Sequence, residues 1–433
     1  MSQVVIPRTA EIEAYFKKYP DVPREVIVKE DILNLGMKYT DAALEAARGA
    51  QTKMYHIFSY DRITVDQMEK KESTRVPEEI RVRGGPFGLR PLIVHSRLNN
   101  VTPYTIDVAD GKLVLRADDE IVADVEYPPA PAYYSKTFED GTQYAELIPL
   151  AFWGFVAFIT CLRNCQYWGD NEECKFCDIN ANVRQQKESG RQYTVHKKVD
   201  QLVEVVKEIF FNRPEHEIQP HAYILSGGTI VKSVKGARDE DFYLSYLEPI
   251  KAALGNRWPC QMQTAAKDRQ ALQRLKDAGV NTHHANIEVW DARLWKIICP
   301  GKEQFVGHDE WIRRVVDSVN VFGEGNVTPN FVQGIEMAQP WGFTDVDEAV
   351  KSTREGFEYL MSNGVMPRMN HWVIEPLSAL GGHQPPPLDY FIKIDVAWYE
   401  TWSKYRLPPL AAFGPMGPGK SINANSAFQD MGQ

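Results

Sequence analysis

The stretch of sequence that decides the fold is FVAFITCLRNCQYWGDNEECKFCDIN, residues 155–180. It begins with an apolar run that is typical of a buried strand, and cysteines follow that run at positions 161, 165, 174 and 177. From there to about residue 375, apolar strand-like runs alternate with amphipathic helical segments. Such alternation predicts a parallel sheet covered by helices, with right-handed crossovers.

Six strand–helix units can be marked on the sequence. The strand candidates are 152–160, 222–225, 261–265, 282–289, 327–332 and 368–374. The helix candidates are 199–211, 241–254, 269–278, 310–322, 346–361 and 388–402. We therefore predict an α/β fold that closes as a partial (βα)6 barrel. The loops that follow its strands should gather at one face, where sites in such folds are built.

Residues 1–145 have a different pattern. They contain a short helical run, TDAALEAAR at 40–48, and a glycine-rich loop, RGGPFGLR at 83–90. The alternating run KLVLRADDEIVADVEY at 112–127 predicts strands. We predict an additional α+β accessory region at 1–145, with a proline-rich linker at 127–134. The barrel core should then occupy 146–375, and a C-terminal helix with a Pro/Gly-rich tail should occupy 376–433.

Composition and charge limit the classes of function. The 433 residues carry a net charge of −9, with a pI near 5.7, and this disfavours nucleic acid or an anionic membrane surface as the main partner. The N-terminus does not resemble a secretory signal, and the apolar stretch 148–160 is too short to span a bilayer as a helix. We expect a cytoplasmic protein. In that reducing compartment, clustered cysteines are metal ligands more often than disulfides.

The cysteine cluster allows two kinds of metal centre. Three thiolates on one loop can hold three irons of a cubane cluster and leave the fourth iron open for a small chelating ligand. Alternatively, four cysteines, as CLRNC and CKFC, could complete a tetrahedral zinc shell that stabilises a binding or scaffold protein.

The loop after the first strand resembles that of the radical S-adenosylmethionine superfamily, in particular its biotin-synthase-like branch. The usual spacing there is Cys-x3-Cys-x2-Cys. If Cys161 and Cys165 are the first two cysteines, the third is expected at position 168, where this sequence has Trp168. We favour a lengthened loop, Cys165-x8-Cys174-x2-Cys177, similar to that of the elongator-type acetyltransferase branch. Cys161 is the alternative first ligand.

The resemblance implies a 4Fe-4S cluster, S-adenosylmethionine and an electron donor such as flavodoxin or ferredoxin. Cleavage of the cofactor would give a 5′-deoxyadenosyl radical that takes hydrogen from a small-molecule substrate. Rearrangement, fragmentation, dehydrogenation and addition all remain open, as does the oligomeric state. Sulfur insertion is the disfavoured alternative, because Cys260 and Cys299 are too few for an obvious second four-cysteine cluster.

The resemblance also implies a set of cofactor-binding residues. Ser226, Gly227, Gly228 and Thr229 follow the second strand, in the place where the family receives the amino group of the cofactor. Asn286 and Glu288 alternate on the fourth strand candidate, so both should point into the barrel. The resemblance implies that one of them, in particular Glu288, meets the ribose hydroxyls or the amino group of the cofactor. The alternative for Glu288 is a salt bridge to Arg293. By weaker analogy, Phe176 and Gly334 would lie beside the adenine.

Two further features are interpreted as structural. GPMGPGKS at 414–421 matches the phosphate-loop formula, but Pro415 and Pro418 lack the N–H donors that such a loop uses. We predict a tail that covers the barrel mouth or a partner. His283, His284 and His371 are interpreted as packed, hydrogen-bonded residues. Near the sixth strand, two charged residues are predicted to contact substrate, namely Arg368 and Glu375.

Overall fold

The computed structural model describes residues 6–53, 60–68, 75–167, 171–188, 195–408 and 414–432, so Trp168 lies outside the described residues. The N-terminal strands are β1 (Lys38–Tyr39), β2 (Glu79–Gly84), β3 (Leu89–His95), β4 (Tyr104–Ala109), β5 (Lys112–Ala117) and β6 (Glu120–Glu126). They form one mainly antiparallel sheet in the order β1-β4-β5-β6-β2-β3. The helices beside it are α1 (Arg8–Lys18), α2 (Arg24–Leu35) and α3 (Asp41–Ala46).

Local sequence explains the N-terminal elements. Thr40 begins α3 as its N-cap, because its hydroxyl accepts a hydrogen bond from the Ala43 N–H at 3.2 Å. The alternating run at 112–127 forms the β5–β6 hairpin, whose turn places Asp118 at a φ of 51°. Most of the apolar residues of these strands, from Leu115 to Val125, belong to a separate N-terminal core, whereas Ile121 is exposed. The predicted α+β character of this region is confirmed.

The second part of the chain is built on parallel strands. Its strands are β7 (Leu150–Ala151), β8 (Val156–Leu162), β9 (Ala222–Gly227), β10 (Cys260–Gln263), β11 (Val280–His284), β12 (Asn330–Gln333) and β13 (Arg368–His371). Strands β8 to β11 pair in parallel in sequence order, as do β12 and β13. Parallel bridges from His283 to Val327 and from Glu288 to Phe331 connect the two groups. The result is a run of six parallel strands, and the predicted partial (βα)6 barrel is confirmed.

The helices of this part cover the strands from outside. They are α4 (Tyr144–Leu147), α5 (Ile179–Glu188), α6 (Val199–Phe211), α7 (Asp239–Leu254), α8 (Arg269–Asp277), α9 (Ala292–Ile298), α10 (Pro300–Phe305), α11 (His308–Asp317), α12 (Val319–Phe322), α13 (Val346–Ser362) and α14 (Leu388–Tyr405). None of the helices within the described ranges combines the length and the hydropathy of a membrane-spanning segment.

The barrel strands differ from their predicted bounds at one or both ends, and for the first and the fourth strand the backbone conformation gives the reason. The first barrel strand begins at Val156, because Phe152 and Trp153 adopt φ values of 53° and 62° and form the turn that leads into it. The fourth ends at His284, and beyond it Glu288 has a φ of 76°. Positive φ is uncommon for residues other than glycine, and here it takes the chain out of the regular sheet beside the barrel mouth.

Buried polar contacts join the N-terminal region to the barrel. Glu79 on β2 accepts backbone N–H groups of Phe152 at 2.8 Å and Trp153 at 2.5 Å. Helix α2 supplies Glu30, whose carboxylate lies 2.5 Å from His371 Nδ1 on the last barrel strand. His371 is therefore a packed residue in this respect, as predicted.

The C-terminal tail is held between the same two parts of the chain. Lys29 on α2 forms a buried ion pair with Asp430 at 2.7 Å. The backbone of the tail accepts N–H groups of His95 on β3 and His371 on β13, both within 3.0 Å. The stretch 414–421 is followed by irregular backbone, and the next helical turn is the short 3-10 helix Phe428–Asp430. It therefore lacks the adjoining helix N-terminus on which a phosphate loop depends.

Candidate active site

The candidate active site is a cavity at the C-terminal ends of the barrel strands. It measures about 1110 Å³, counted out to its open mouth. Residues from the cysteine loop, from the ends of β9 to β13 and from the N-terminal region line it. The predicted site residues in its lining are Cys165, Cys174, Phe176, Cys177, Ser226, Gly227, Gly228, Thr229, Asn286 and Glu288.

The structure separates the two alternatives for the first cysteine. Cys165, Cys174 and Cys177 all line the cavity, whereas Cys161 lies on β8 with no exposed surface, inside the hydrophobic core. Burial raises the pKa of Cys165 to about 11 and also raises that of Cys177. A metal that binds these sulfurs must displace their protons.

Within the described ranges, no three His, Cys, Asp or Glu side chains come close enough together to share one metal ion. A cubane cluster does not require this, because each of its thiolates binds a different iron. Three thiols on the wall of one cavity are therefore a donor set that fits such a cluster.

The cysteine loop is held in place by Asn180, at the start of α5. The Asn180 side chain accepts the Cys165 N–H at 2.9 Å and donates to the carbonyls of Cys165 at 3.2 Å and Tyr167 at 3.3 Å. It also donates to the Glu173 carboxylate at 3.0 Å. One buried amide thus connects both ends of the lengthened loop, and sequence analysis did not single it out.

The Gly-Gly turn after β9 packs directly on this loop. A Cβ atom added to Gly228 would lie 2.0 Å from the Asn164 carbonyl oxygen and 2.6 Å from the Cys165 Cα, so only glycine fits there. The Gly228 carbonyl accepts the Tyr243 hydroxyl at 2.9 Å, and the Thr229 carbonyl accepts the Gln166 N–H at 2.8 Å. The first two strand ends therefore form one continuous wall.

Glu288 is paired with Lys302 and not with Arg293. The Lys302 ammonium lies 2.7 Å from Glu288 Oε1 and 2.8 Å from the Asn286 carbonyl oxygen, and both side chains are less than 9% exposed. Burial alone would lower the pKa of Lys302, but the charge of Glu288 outweighs it and raises that pKa. Arg293 instead donates to the Trp341 carbonyl at 2.9 Å. The predicted inward position of Asn286 and Glu288 agrees with their place in the cavity lining.

Of the two residues assigned to the adenine by weaker analogy, only one lines the cavity. Phe176 lines the cavity between the last two cysteines. Gly334 does not belong to the lining: a Cβ there would meet Pro386 at 3.1 Å and Phe391 at 3.2 Å, on the side of α14. Its φ of 105° explains the glycine by the turn after β12.

Of the two residues predicted to contact substrate, only one lines the cavity. Glu375 lines the cavity, where it accepts the Tyr60 N–H at 3.1 Å and contacts the carboxyl group of Asp178. Burial, together with the charge of Asp178, raises the pKa of Glu375. Arg368 is buried beside His284, with 3.3 Å between its guanidinium and His284 Nδ1, and does not belong to the lining.

Several polar atoms of the lining residues are buried without a hydrogen-bond partner among the described residues. They are Oδ1 of Asn286, Asn330 and Asn370, Nε1 of Trp311 and Trp372, and Nε2 of His371. Buried polar groups in folded proteins are almost always paired, with protein, water or a ligand. Their concentration around one cavity favours a polar occupant.

Sequence analysis missed several of the lining residues. Lys302, Trp311, Asn330, Asn370 and Trp372 lie at the ends of later strands or on short helices, with no motif to mark them. Tyr60 comes from the N-terminal region, whose contribution to the site only the tertiary structure reveals. Asn330 and Asn370 lie on β12 and β13, and the alternation of side chains along a strand was the one sequence signal that could have placed them in the barrel.

A three-cysteine loop follows the first strand of the parallel partial barrel, and the second strand ends in Gly-Gly against that loop. This arrangement is similar to that of radical S-adenosylmethionine enzymes, the superfamily that the cysteine loop resembles in sequence.

Known proteins similar to this chain are distant. The bacteriochlorophyllide c C-7(1)-hydroxylase of Chlorobaculum limnaeum is 26% identical over 140 residues, which is 32% of this chain and 32% of that protein. The matched part thus spans about a third of the curated relative. No protein-family model matches the chain.

Three solved structures have lower identity. Methylornithine synthase is 15% identical, with a TM-score of 0.38 over 62% of this chain and 72% of that one. The FeFe-hydrogenase maturase HydG from Carboxydothermus hydrogenoformans is 14% identical, with a TM-score of 0.38 over 63% and 59%. Coproporphyrinogen III oxidase from Escherichia coli, described as a radical SAM enzyme, is 11% identical, with a TM-score of 0.34 over 58% and 52%.

Proposed function

We propose that this protein holds a 4Fe-4S cluster on Cys165, Cys174 and Cys177 and uses S-adenosylmethionine to start a radical reaction on a small molecule. The observation that carries the proposal is the common cavity: three thiols of one loop line it together with the Gly-Gly turn and several unpartnered polar atoms. When bound, the cluster and S-adenosylmethionine supply a 5′-deoxyadenosyl radical that removes hydrogen from the substrate.

The protein's own residues bind and orient these groups. The Gly-Gly turn exposes its backbone to the cavity and would receive the amino group of the cofactor. Glu288, held by Lys302, and Asn286, whose Oδ1 lacks a partner among the described residues, offer acceptors for hydroxyl or amino groups. Phe176 would pack beside the adenine. The aromatic residues of the wall exclude water from the reacting atoms.

A small-molecule substrate is part of this proposal, and the cavity at the strand ends would hold it beside the cofactor. The class of reaction, whether rearrangement, fragmentation, dehydrogenation or addition, depends on that substrate.

We further propose that the protein works in the cytoplasm with a one-electron donor such as a flavodoxin or a ferredoxin. The six cysteines are free thiols, which persist in a reducing compartment.

The experiment that tests this function starts from anaerobically purified protein. Iron and sulfide are counted, spectra of the reduced protein are recorded with and without S-adenosylmethionine, and 5′-deoxyadenosine is measured after reduction. We expect four irons per chain, a spectral change on adding the cofactor, and product formation. Cys165→Ala, Cys174→Ala and Cys177→Ala should each lose the cluster.

Two other cysteines provide matched controls. Cys161 on β8 and Cys260 on β10 are buried and do not belong to the cavity lining, so Cys161→Ala and Cys260→Ala should keep the iron. A protein that contains zinc and no iron would contradict the proposal. Equal iron in the Cys161 and Cys165 variants would show that the first ligand is wrongly chosen.

A further inference from the structure

A fourth cysteine lies against the proposed cluster ligands. The Cys299 thiol donates a hydrogen bond to the Cys174 sulfur, so the two side chains are in direct contact. Cys299 has no exposed surface and lies at the junction of α9 and α10. Cys174 lines the open cavity, whereas Cys299 does not belong to the lining. Solutes that enter the cavity therefore reach Cys174, and Cys299 is shielded from them.

Two backbone hydrogen bonds hold together the segments that carry these cysteines. The Lys175 N–H donates to the Ile298 carbonyl at 2.8 Å, and the Gly301 N–H donates to the Glu172 carbonyl at 3.0 Å. The two cysteines lie between these bonds, one on each segment. A Cβ atom on residue 301 would collide with the Glu172 carbonyl, so glycine permits this close approach. The contact between the sulfurs is thus fixed on both sides by the backbone.

This contact makes Cys299 the nearest candidate for a disulfide with Cys174. Disulfide formation requires two cysteines whose side chains face each other at short range, and a hydrogen bond between thiols meets that requirement. Cys177 is the competing partner, because it also lines the cavity and interacts with Cys174 through charge. The hydrogen bond to Cys174 favours Cys299.

We propose that Cys174 and Cys299 form a reversible disulfide when an oxidant removes the cluster, and that Cys299 thereby protects this ligand from irreversible oxidation. The inference rests on the proposed function for the role of Cys174 as a ligand, while the disulfide itself is a property of the cluster-free chain. Disulfides in a reducing compartment are mostly transient and catalytic or redox-sensing, which fits such a role.

With hydrogen peroxide as the oxidant, the reaction has two steps. In the first, an S–O bond forms on Cys174, the O–O bond breaks, and water leaves behind a sulfenic acid. In the second, the Cys299 sulfur attacks the Cys174 sulfur, the S–S bond forms, and the S–O bond breaks as a second water takes the oxygen and the Cys299 proton. Two thiols are oxidised and one peroxide is reduced. A dithiol reverses the product by thiol–disulfide exchange.

The test maps the cysteines of the full chain. Anaerobically prepared holoenzyme is treated with hydrogen peroxide until its iron is lost, and free thiols are then alkylated under denaturing conditions. Tryptic peptides are analysed by mass spectrometry without reduction. Iron content and 5′-deoxyadenosine formation are measured on the same preparation before oxidation.

Trypsin separates the competing partners, because it cleaves after Lys175. The relevant peptides are 164–175 with Cys174, 176–184 with Cys177 and 297–302 with Cys299. Cys165 shares the first peptide, so fragmentation of the linked peptides identifies the bonded cysteine. We expect peptides 164–175 and 297–302 to be linked through Cys174 and to separate after treatment with dithiothreitol.

Variants test the protective role. Cys299→Ala should assemble the cluster, but after peroxide it should accumulate sulfinic acid at Cys174 and lose iron that reductive reconstitution restores in the wild type. Cys260→Ala removes another fully buried cysteine, on β10, and should recover its iron as the wild type does. Cys177→Ala should still form the link, although it lacks a cluster ligand.

The outcomes separate this inference from the proposed function. A link between Cys174 and Cys177, alkylated Cys299 in the oxidised wild type, or equal iron recovery in Cys299→Ala and the wild type would overturn the inference. A wild type without iron or cofactor cleavage would instead overturn the proposed function, and its peptide map still tests the disulfide. If Cys299→Ala fails to fold, the maps of the wild type and of Cys177→Ala decide.

Discussion

Replacing Lys302 with methionine tests whether the ion pair with Lys302 keeps Glu288 in position in the cavity wall. Lys302 lies 2.7 Å from Glu288 Oε1, and the two side chains are 8% and 7% exposed, so the pair is shielded from water. Removing one partner of such a buried pair costs about 3–5 kcal/mol, because the other charge remains buried and alone. Lys302→Met should therefore destabilise the protein and also release Glu288 from its position in the cavity wall.

The assay measures the dissociation constant of S-adenosylmethionine in the reduced holoenzyme, beside thermal unfolding. If Glu288 contacts the cofactor, a loss of about 1.5–3 kcal/mol, typical of a hydrogen bond to a charged group, weakens binding roughly 10- to 150-fold. Glu288→Gln and the double variant complete a double-mutant cycle. We expect the double variant to recover stability and to bind the cofactor as weakly as the single variants.

The matched control is Lys267→Met. Lys267 forms an ion pair with Asp239, with side chains 6% and 16% exposed, and neither residue lines the cavity. This variant should lose stability but keep wild-type affinity for S-adenosylmethionine. The reasoning is refuted if Lys302→Met binds the cofactor as tightly as the wild type, or if both lysine variants weaken binding equally.

Three other changes have defined outcomes. Burial raises the pKa of Glu79 to about 7, above the value of about 4.3 for an exposed glutamate, so its contribution to stability falls as the pH rises between these values. Relative to Glu79→Gln, the wild type should therefore lose roughly 4 kcal/mol across this range; parallel pH profiles of unfolding would contradict this. Gly228→Ala should prevent cluster assembly, because the new methyl group enters the backbone of the cysteine loop, whereas Gly382→Ala has nothing within 4 Å and should assemble normally; iron content measures both. Asn180→Ala should lower the iron content, because it removes the hydrogen bonds that hold the cysteine loop, whereas Asn212→Ala, at an exposed position, should not. Equal iron content in the two variants would show that Asn180 does not hold the loop.

The barrel and the position of its cysteine loop could be predicted because both depend on local sequence. Apolar runs alternating with amphipathic helices specify parallel strands and covering helices, whatever the distant residues do. Four of the six predicted helix starts, at 199, 269, 346 and 388, coincide with observed ones. Strand ends were less predictable, since residue type does not favour the positive φ values found at Trp153 and Glu288.

The partners of the site residues depended on the fold. The sequence offered Arg293 as a salt-bridge partner for Glu288. In the structure, helix α10 places Lys302 beside Glu288 instead, and the energy of a buried ion pair depends on this close contact. The sequence alone allowed either Cys161 or Cys165 as the first ligand. In the structure Cys161 is buried on its strand, whereas Cys165 lines the cavity.

The sequence alone determined the class of fold and the loop that carries the thiols, because periodicity and short motifs act within a few residues. Only the tertiary structure decided which distant groups close the cavity, including Tyr60 from the N-terminal region and the acceptors at the ends of β12 and β13. Such contacts between residues far apart in the chain arise from packing of the whole molecule, and no local pattern encodes them.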